Sequence, residues 1–263
     1  MDIASPCRKS CGTGNCTGNK PKHRTEDSKK NKITQRKVQY YVIPPKQNGE
    51  FVAHMENVLD LYEKPRDPDV PVVAMDEQPV QLLKEIRQAI AATLHHAKRV
   101  DYEYERAGVA NIFMFTAPLE GWRRVAVRER KTKIDWAYEV KHLLEVDFPK
   151  AKKVKLVCDN LNTHTIGALY EAFDADVARP LVQRLEIVHT PKHGSWLNVA
   201  ENDLSSLTVQ CVKHRRFGSI EELRKAVEAW AADANEKQKG VRWQFTTEKA
   251  RIKLVSLYPK IKK

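Results

Sequence analysis

The sequence predicts an α/β fold in which helices flank one mixed sheet. Two observations support this prediction. Short apolar runs of strand length alternate along the chain with longer segments whose apolar residues recur at helical spacing. The elements also follow the order strand, strands, helix, strand, helix, strand, helix, which is typical of α/β architectures. With 263 residues, the chain is long enough to bury a substantial core.

The first predicted elements lie between residues 39 and 127. A proline-led turn at 43–45 precedes an amphipathic helix. The apolar side chains of this helix are Phe51, Met55, Val58, Leu59 and Tyr62. Val70 to Met75 is a compact apolar run, which predicts a buried strand that ends at Asp76. The segments 100–115 and 122–127 are rich in strand-forming residues, and we expect them to form antiparallel strands around the turn 116–121.

Helices and strands alternate in the second half of the chain. We predict a helix over 134–148, which Pro149 ends, and then a strand over Val154 to Cys158. Further predicted elements are a helix around 166–173 and a short strand over 185–188. Five apolar residues then define one face of another helix: Leu197, Ala200, Leu204, Leu207 and Cys211. Ser219 and Glu222 have the spacing of a capping box, which predicts the start of a last helix.

Composition excludes two classes of protein. No apolar stretch approaches the roughly 20 residues needed to cross a bilayer, and the amino terminus lacks the apolar segment of a secretory signal. Five cysteines do not form an even disulfide framework, so we expect reduced thiols in a cytoplasmic protein. Cys7, Cys11 and Cys16 lack the paired spacing and the fourth ligand of a typical zinc site.

The positive charge is concentrated near the amino terminus. Residues 1–38 contain ten Lys or Arg and three acidic residues, whereas the whole chain has a net charge of +12. Such a chain favours a polyanionic partner, because neutralising phosphates releases counterions. The alternative is a solvated tail on an ordinary basic protein. Residues 1–38 have no apolar periodicity, so we expect a basic, disordered tail.

Three acidic residues are candidates for metal-dependent chemistry. Asp76 and Asp159 each follow a predicted strand, and Glu201 lies in the first turn of a predicted helix. Open α/β sheets place ligands at the carboxyl ends of their strands. Divalent cations would offset the repulsion between carboxylates at such an edge, and pairs of these ions catalyse phosphoryl transfer.

Local structure alone could also account for these acids. Asp76 and Asp159 could simply begin turns, and Glu201 follows Asn198 at the spacing of a capping box. His189 and His193 are four residues apart, but they lie in a proline-containing loop, where that spacing does not place them on one face for a zinc site. We expect these histidines and His164 to form hydrogen bonds with phosphate or with a metal-bound water. Ser195 lacks the glycine signature of a hydrolase nucleophile elbow.

The motifs around the acids resemble those of a known family. The runs that carry the resemblance are Asp159-Asn160-Leu161-Asn162-Thr163-His164 and Thr190-Pro191-Lys192-His193-Gly194-Ser195-Trp196-Leu197-Asn198-Val199-Ala200-Glu201, with supporting similarity at 43–45, 101–106, 111–115 and 245–253. Together they resemble bacterial insertion-sequence transposases of the mariner superfamily. The resemblance covers about residues 39–258.

The resemblance implies a ribonuclease-H-like fold with an Asp-Asp-Glu triad that binds two Mg²⁺ or Mn²⁺ ions. The matching positions are Asp76, Asp159 and Glu201. Such enzymes cut the ends of a DNA element with water, and the new 3′ hydroxyl then attacks target DNA. The implied partners are DNA and a second copy of the chain, in a bacterial cytoplasm near the nucleoid. We expect the flanking motif residues to bind substrate: Asn160, His164, Lys192, His193, Trp196 and Asn198.

The amino-terminal region departs from the family pattern. Family members carry helix-turn-helix domains before the catalytic core, whereas only about 70 residues precede Asp76 here. We therefore expect a truncated copy with a tail at 1–38, a connecting helix and proline-rich linker at 39–70, a catalytic domain at 71–232 and a basic extension at 233–263. Two alternatives remain open. One is a non-catalytic remnant that binds DNA, and the other is a ribonuclease-H-like nuclease acting on RNA or hybrids.

Overall fold

The computed structural model describes residues 48–260, apart from His214, Lys239 and Arg242. The predicted tail at 1–38 and the proline turn at 43–45 lie outside the described residues. In the described part of the chain the helices and strands are, in order, α1 (Gly49–Glu63), β1 (Val72–Glu85), β2 (Tyr104–Ala117), β3 (Trp122–Arg128), α2 (Lys133–His142), β4 (Val154–Cys158), α3 (Gly167–Ala172), α4 (Ala175–Arg184), β5 (Leu185–His189), α5 (Val199–Leu207), α6 (Ile220–Glu236) and α7 (Thr247–Lys253). None of these helices is long and apolar enough to cross a membrane.

The strands form one mixed sheet in the order β3-β2-β1-β4-β5. Strands β1, β2 and β3 pair antiparallel, and β1, β4 and β5 pair parallel. The antiparallel part follows the predicted order of strands along the chain, and the parallel part is connected through the helices between β3 and β5. The predicted α/β fold with one mixed sheet is confirmed.

Helices cover both faces of the sheet. Because side chains alternate along a strand, β1 sends Ala74 into one hydrophobic core and Val73 and Met75 into the other. The first core contains apolar side chains from α1, α5, α6 and α7, and the second contains side chains from α2, α3 and α4. The apolar residues predicted for the first helix are all buried in the first core: Phe51, Met55, Val58, Leu59 and Tyr62.

The prediction that Asp76 ends its strand is wrong. Strand β1 continues for nine residues beyond Asp76, because it pairs with β2 as far as Glu85. The apolar run that predicted the strand stops at Met75, but the strand itself includes Pro79, although proline cannot donate a backbone hydrogen bond. The parallel pairing with β4 extends only to Ala74, so the other edge of β1 has no strand neighbour at Pro79 within the described residues. At this position the missing donor costs little.

Helix α1 and the carboxyl-terminal residues are packed together. The guanidinium of Arg251 in α7 binds both carboxylate oxygens of Glu56 at 2.9 and 3.0 Å. The Tyr258 hydroxyl donates to the same carboxylate at 2.8 Å.

Helix α6 runs across residue 232 to Glu236. The proposed domain boundaries at residues 38, 70 and 232 stay predictions.

A glycine in the β2–β3 turn tests the close approach of Gln238 and Gly240 to this turn. Gly121 has φ of +69°, and a Cβ atom there would lie 2.7 Å from the backbone carbonyl of Gln238. We expect Gly121→Ala to lower the free energy of unfolding by about 2–4 kcal/mol, from backbone strain of about 1 kcal/mol and a clash of about 1–3 kcal/mol. Urea denaturation measures this change.

Gly108 provides the matched control for this substitution. It also has a positive φ, of +99°, but a Cβ atom added there would meet nothing within 4 Å. Gly108→Ala should therefore cost only the backbone strain of about 1 kcal/mol. Equal losses in the two variants would contradict the close approach of Gln238.

Candidate active site

The pairing of β1 with β4 brings two of the three candidate acids to one place. The parallel register aligns Val72 with Lys155 and Ala74 with Val157. Extending this register by two residues puts Asp76 level with Asp159, which directly follows β4. The predicted strand before Asp159 is therefore present. Asp76 lies opposite Asp159 in this register, although its own strand, β1, continues beyond it.

Asn198 fixes the start of helix α5 against β1. Its side-chain oxygen accepts a hydrogen bond from the Ala200 N–H at 3.2 Å, which caps the helix. Its side-chain nitrogen donates to the Met75 carbonyl at 2.9 Å, one residue before Asp76. Asn198 is only 3% exposed, so both bonds are shielded from water. Glu201 in the first turn of α5 is thereby held close to the sheet edge.

The capping-box explanation for Glu201 is not supported. In a capping box the carboxylate would accept the backbone N–H of Asn198. That N–H instead donates to the Ser195 carbonyl at 2.7 Å, at the end of a short 3₁₀ turn. The Glu201 side chain is exposed. It is therefore available for another role.

The three carboxylates act on one another electrostatically. Burial raises the pKa of Asp76, and the hydrogen bond from the Glu77 N–H at 2.8 Å lowers it. The negative charges of Asp159, Glu201 and Glu77 raise it further. The resulting pKa of Asp76 is about 6. While these charges are not compensated, Asp76 therefore keeps its proton to a higher pH than an ordinary aspartate does.

The donor set fits a divalent cation in its chemistry. Carboxylate oxygens are the preferred ligands of Mg²⁺ and Mn²⁺, and a cation would offset the repulsion that raises the pKa of Asp76. Within the described part of the chain, however, no three His, Cys, Asp or Glu side chains are already gathered into a group that could hold an ion.

His164 lies beneath the acids and not on the surface that faces substrate. Its Nδ1 is 2.7 Å from Oδ1 of Asp159, and its Nε2 is 3.0 Å from Oε1 of Glu77. Burial lowers the pKa of this imidazole, but the contacts with Asp159, Cys158 and Glu77 outweigh it and raise the pKa well above its usual range. His164 is 2% exposed. Its position therefore does not support the predicted direct contact with substrate.

Asn198 also differs from its predicted role. Its side chain is buried, and both ends of its amide are used by the backbone of Met75 and Ala200. It therefore supports the site and is not free to contact substrate. The other four predicted substrate-binding residues are exposed: Asn160, Lys192, His193 and Trp196.

The exposed residues lie on the segments that follow β4 and β5. Lys192 and His193 are in the loop after β5, where His193 adopts a positive φ of 66°. Trp196 is 39% exposed, and its ring meets the edge of Phe245 at a centroid distance of 5.8 Å. Charged and aromatic side chains thus flank the start of α5.

Two residues near the acids were missed from the sequence. Glu77 contacts His164, and its alternation with Asp76 along β1 was the available signal, since a charged residue on the core side of a strand needs a buried partner. His189 was predicted to form a hydrogen bond with phosphate or with a metal-bound water, and its contact with the backbone was missed. Its Nδ1 lies 3.2 Å from the backbone carbonyl of Asp159, so it helps fix the end of β4.

The family follows from the sequence profile that matches the chain. The DDE superfamily endonuclease profile matches residues 71–224, which include the sheet and all three candidate acids. The chain therefore belongs to the DDE superfamily of endonucleases. No curated protein sequence matches it.

The fold is similar to those of solved mariner transposase structures. The mariner Mos1 paired end complex with Mg matches with a TM-score of 0.56 at 13% identity, over 90% of this chain and 72% of that chain. The Mos1 Strand Transfer Complex gives 0.52 at 14% identity, over 82% and 63%. The Mos1 mariner paired end complex with Mn gives 0.50 at 15% identity, over 80% and 63%. The chain thus spans less than two thirds of two of these transposase chains, and at these identities the likeness is one of fold.

The raised pKa of Asp76 predicts a dependence of stability on pH. The folded protein binds this proton more tightly than the unfolded chain, so ionisation costs stability as pH rises from about 4 through 6. With a metal chelator present, Asp76→Asn should raise the free energy of unfolding at pH 8 by about 1–3 kcal/mol. The gain should vanish towards pH 4, where Asp76 is protonated in both states. Urea denaturation at several pH values measures it.

An exposed carboxylate serves as the control for this effect. Asp233 forms only a surface pair with Lys237 in α6. Asp233→Asn should change stability by less than about 1 kcal/mol at either pH. If Asp76→Asn were no more stable than the unmodified protein at pH 8, the proposed repulsion among the acids would be wrong.

Proposed function

We propose that the protein is the catalytic core of a DNA transposase that cleaves DNA at element ends and joins them to target DNA with divalent metal ions. The observation that carries the proposal is the β1–β4 register that puts Asp76 level with Asp159, together with the Asn198 bond that holds the helix of Glu201 against β1, in a DDE superfamily endonuclease. Three carboxylates that lie close enough to repel one another destabilise the folded protein unless a bound cation offsets their charge.

In this proposal Asp76, Asp159 and Glu201 hold two Mg²⁺ or Mn²⁺ ions. When bound, such ions would activate the attacking hydroxyl and stabilise the departing oxygen. Similar solved structures are paired end complexes with Mg and with Mn, which supports the choice of metals. The chain itself contributes the fixed positions of these carboxylates, through the β1–β4 pairing and through Asn198.

The exposed residues around the acids suit a DNA substrate. Lys192 and His193 can meet phosphate oxygens, and Asn160 directly follows Asp159. The exposed face of Trp196 can stack on a base. Similar folds occur in paired end and strand transfer complexes, so we assign element ends and target DNA as partners. We also propose that the active form is a homodimer and that it works in a bacterial cytoplasm, at the nucleoid.

Metal-dependent nicking of supercoiled plasmid DNA tests the proposal. We expect nicking with Mg²⁺ or Mn²⁺ and none with a chelator. Asp159→Asn, Asp76→Asn and Glu201→Gln should each lower the initial rate by on the order of 100-fold or more, because each removes a charged ligand worth several kcal/mol to the transition state. Gel electrophoresis of the relaxed product measures the rate.

Glu221 provides a matched control for Glu201. It is an exposed glutamate in the first turn of α6, and Glu221→Gln should retain the full rate. Salt-sensitive DNA binding without metal-dependent nicking would instead favour a non-catalytic DNA-binding remnant. Faster cleavage of RNA–DNA hybrids than of DNA would favour a general ribonuclease-H-like nuclease.

Trp196 tests the proposed contact with unpaired bases. Trp196→Ala should weaken binding of single-stranded DNA by about 1–3 kcal/mol, because it removes one stacking surface. Trp196→Phe should restore most of the affinity, since phenylalanine keeps an aromatic face. Fluorescence anisotropy with a labelled oligonucleotide measures both variants, and equal affinities for the Ala variant and the unmodified protein would rule out the contact.

A further inference from the structure

A buried histidine lies between two carboxylates behind the candidate metal site. His164 lies between Glu77 and Asp159, at 3.0 Å from the first carboxylate and 2.7 Å from the second. The Glu77 side chain is 4% exposed and the His164 side chain 2%. The contact between His164 and Glu77 is therefore little screened by water.

The position of Glu77 explains why this contact exists. Asp76 and Glu77 are neighbours in β1, so their side chains leave opposite faces of the strand. Glu77 points to the side of the second core, where Trp136 packs against the His164 ring at a centroid distance of 5.7 Å. A carboxylate buried there costs several kcal/mol unless it is paired. His164 and the Lys131 ammonium, 3.7 Å away, are its partners.

The same imidazole constrains Asp159. Oδ1 of Asp159 is buried and has no well-aligned hydrogen bond within the described residues, and Nδ1 of His164 is its near neighbour. The Asp159 side chain as a whole is 41% exposed, so its exposed part includes the other oxygen. The His164 backbone also donates to the Leu161 carbonyl at 3.0 Å, which closes the turn after Asp159. The ring is thus held by Glu77, by Trp136 and by its own turn.

We propose that His164, anchored by Glu77, is a positioning residue that orients the Asp159 carboxylate so that its exposed oxygen can bind a divalent cation. The inference rests on the proposed function, since it assigns a role to residues behind the proposed metal ligands. It requires no contact between His164 and DNA. Outer partners of metal ligands fix their orientation, and losing one typically weakens metal affinity by about 10–100-fold.

Two amide substitutions separate the two contacts of the imidazole. The His164→Asn amide nitrogen can take the place of Nδ1 and still donate to Asp159. The His164→Gln amide nitrogen can take the place of Nε2, so it keeps the contact with Glu77 and loses that with Asp159. We expect Mn²⁺ to bind the Gln variant about 10–100-fold more weakly than the unmodified protein. The loss of Mn²⁺ affinity in the Asn variant should be less than about tenfold.

The measurement is Mn²⁺ binding to the full chain without DNA, by electron paramagnetic resonance of the free ion. The matched control is His142→Gln, because His142 also contacts a carboxylate, at 3.8 Å from Asp147, but lies on α2 with an exposed side chain. This control should bind Mn²⁺ as the unmodified protein does. Unchanged affinity in His164→Gln, or equal affinities in the Gln and Asn variants, would overturn the inference.

A second variant decides the question if the His164 substitutions prevent folding. Glu77→Gln leaves the imidazole in place and removes the charge that anchors it. Like His164→Asn, a folded Glu77→Gln protein loses only the anchor, so it should bind Mn²⁺ more weakly but by less than about tenfold, and unchanged binding overturns the inference. Asp159→Asn separates this outcome from the larger proposal. If Mn²⁺ binding does not depend on Asp159 at all, the proposed metal site itself fails.

Discussion

The parallel pairing of β1 with β4 is the constraint on which the site depends. It puts Asp76 level with Asp159, and it does so through backbone hydrogen bonds that do not depend on either side chain. A shift of one residue in this register would turn Asp76 to the opposite face of the sheet. The buried alternation of Val73, Ala74 and Met75 between two cores opposes such a shift, because it would exchange their burial. The geometry of the acids is therefore a product of core packing.

Packing of the two cores stabilises the fold against the unfavourable burial and repulsion of the acids. Burial and, to a smaller extent, the like charges of Asp159, Glu201 and Glu77 raise the pKa of Asp76, and this is a cost to the folded state near neutral pH. The same interactions favour a cation, so the property that destabilises the metal-free protein favours binding. His164 and Asn198 lower the freedom of the surrounding groups without adding negative charge. The arrangement is typical of functional sites, where electrostatic strain is maintained by a rigid scaffold.

Much of the fold could be predicted from the sequence, because its strands and amphipathic helices have clear periodicities. The strand before Asp159 and the apolar face of α1 are examples. The end of β1 was predicted wrongly, since the sequence does not reveal that Pro79 lies where β1 has only one strand neighbour among the described residues. Helix α4 was not predicted, and it contains Pro180, which normally interrupts a helical pattern.

The candidate site could be predicted only in part. Acids at element boundaries can be identified from their position in the sequence, and family motifs sharpen that choice. Burial and hydrogen-bond partners depend on the tertiary structure, so motif residues could not be divided into those that face substrate and those that support the site. His164 and Asn198 belong to the second group because both ends of each side chain are occupied. Trp196 and Lys192 remain on the surface.

The hydrogen bond between Asn198 and Met75 has a consequence for the loop that joins β5 to α5. Because this bond attaches the helix directly to β1, the placement of Glu201 does not rest on the loop alone. Substitutions at the exposed Lys192 and His193 can therefore change the surface beside the acids while the helix that carries the carboxylate keeps its attachment to the sheet.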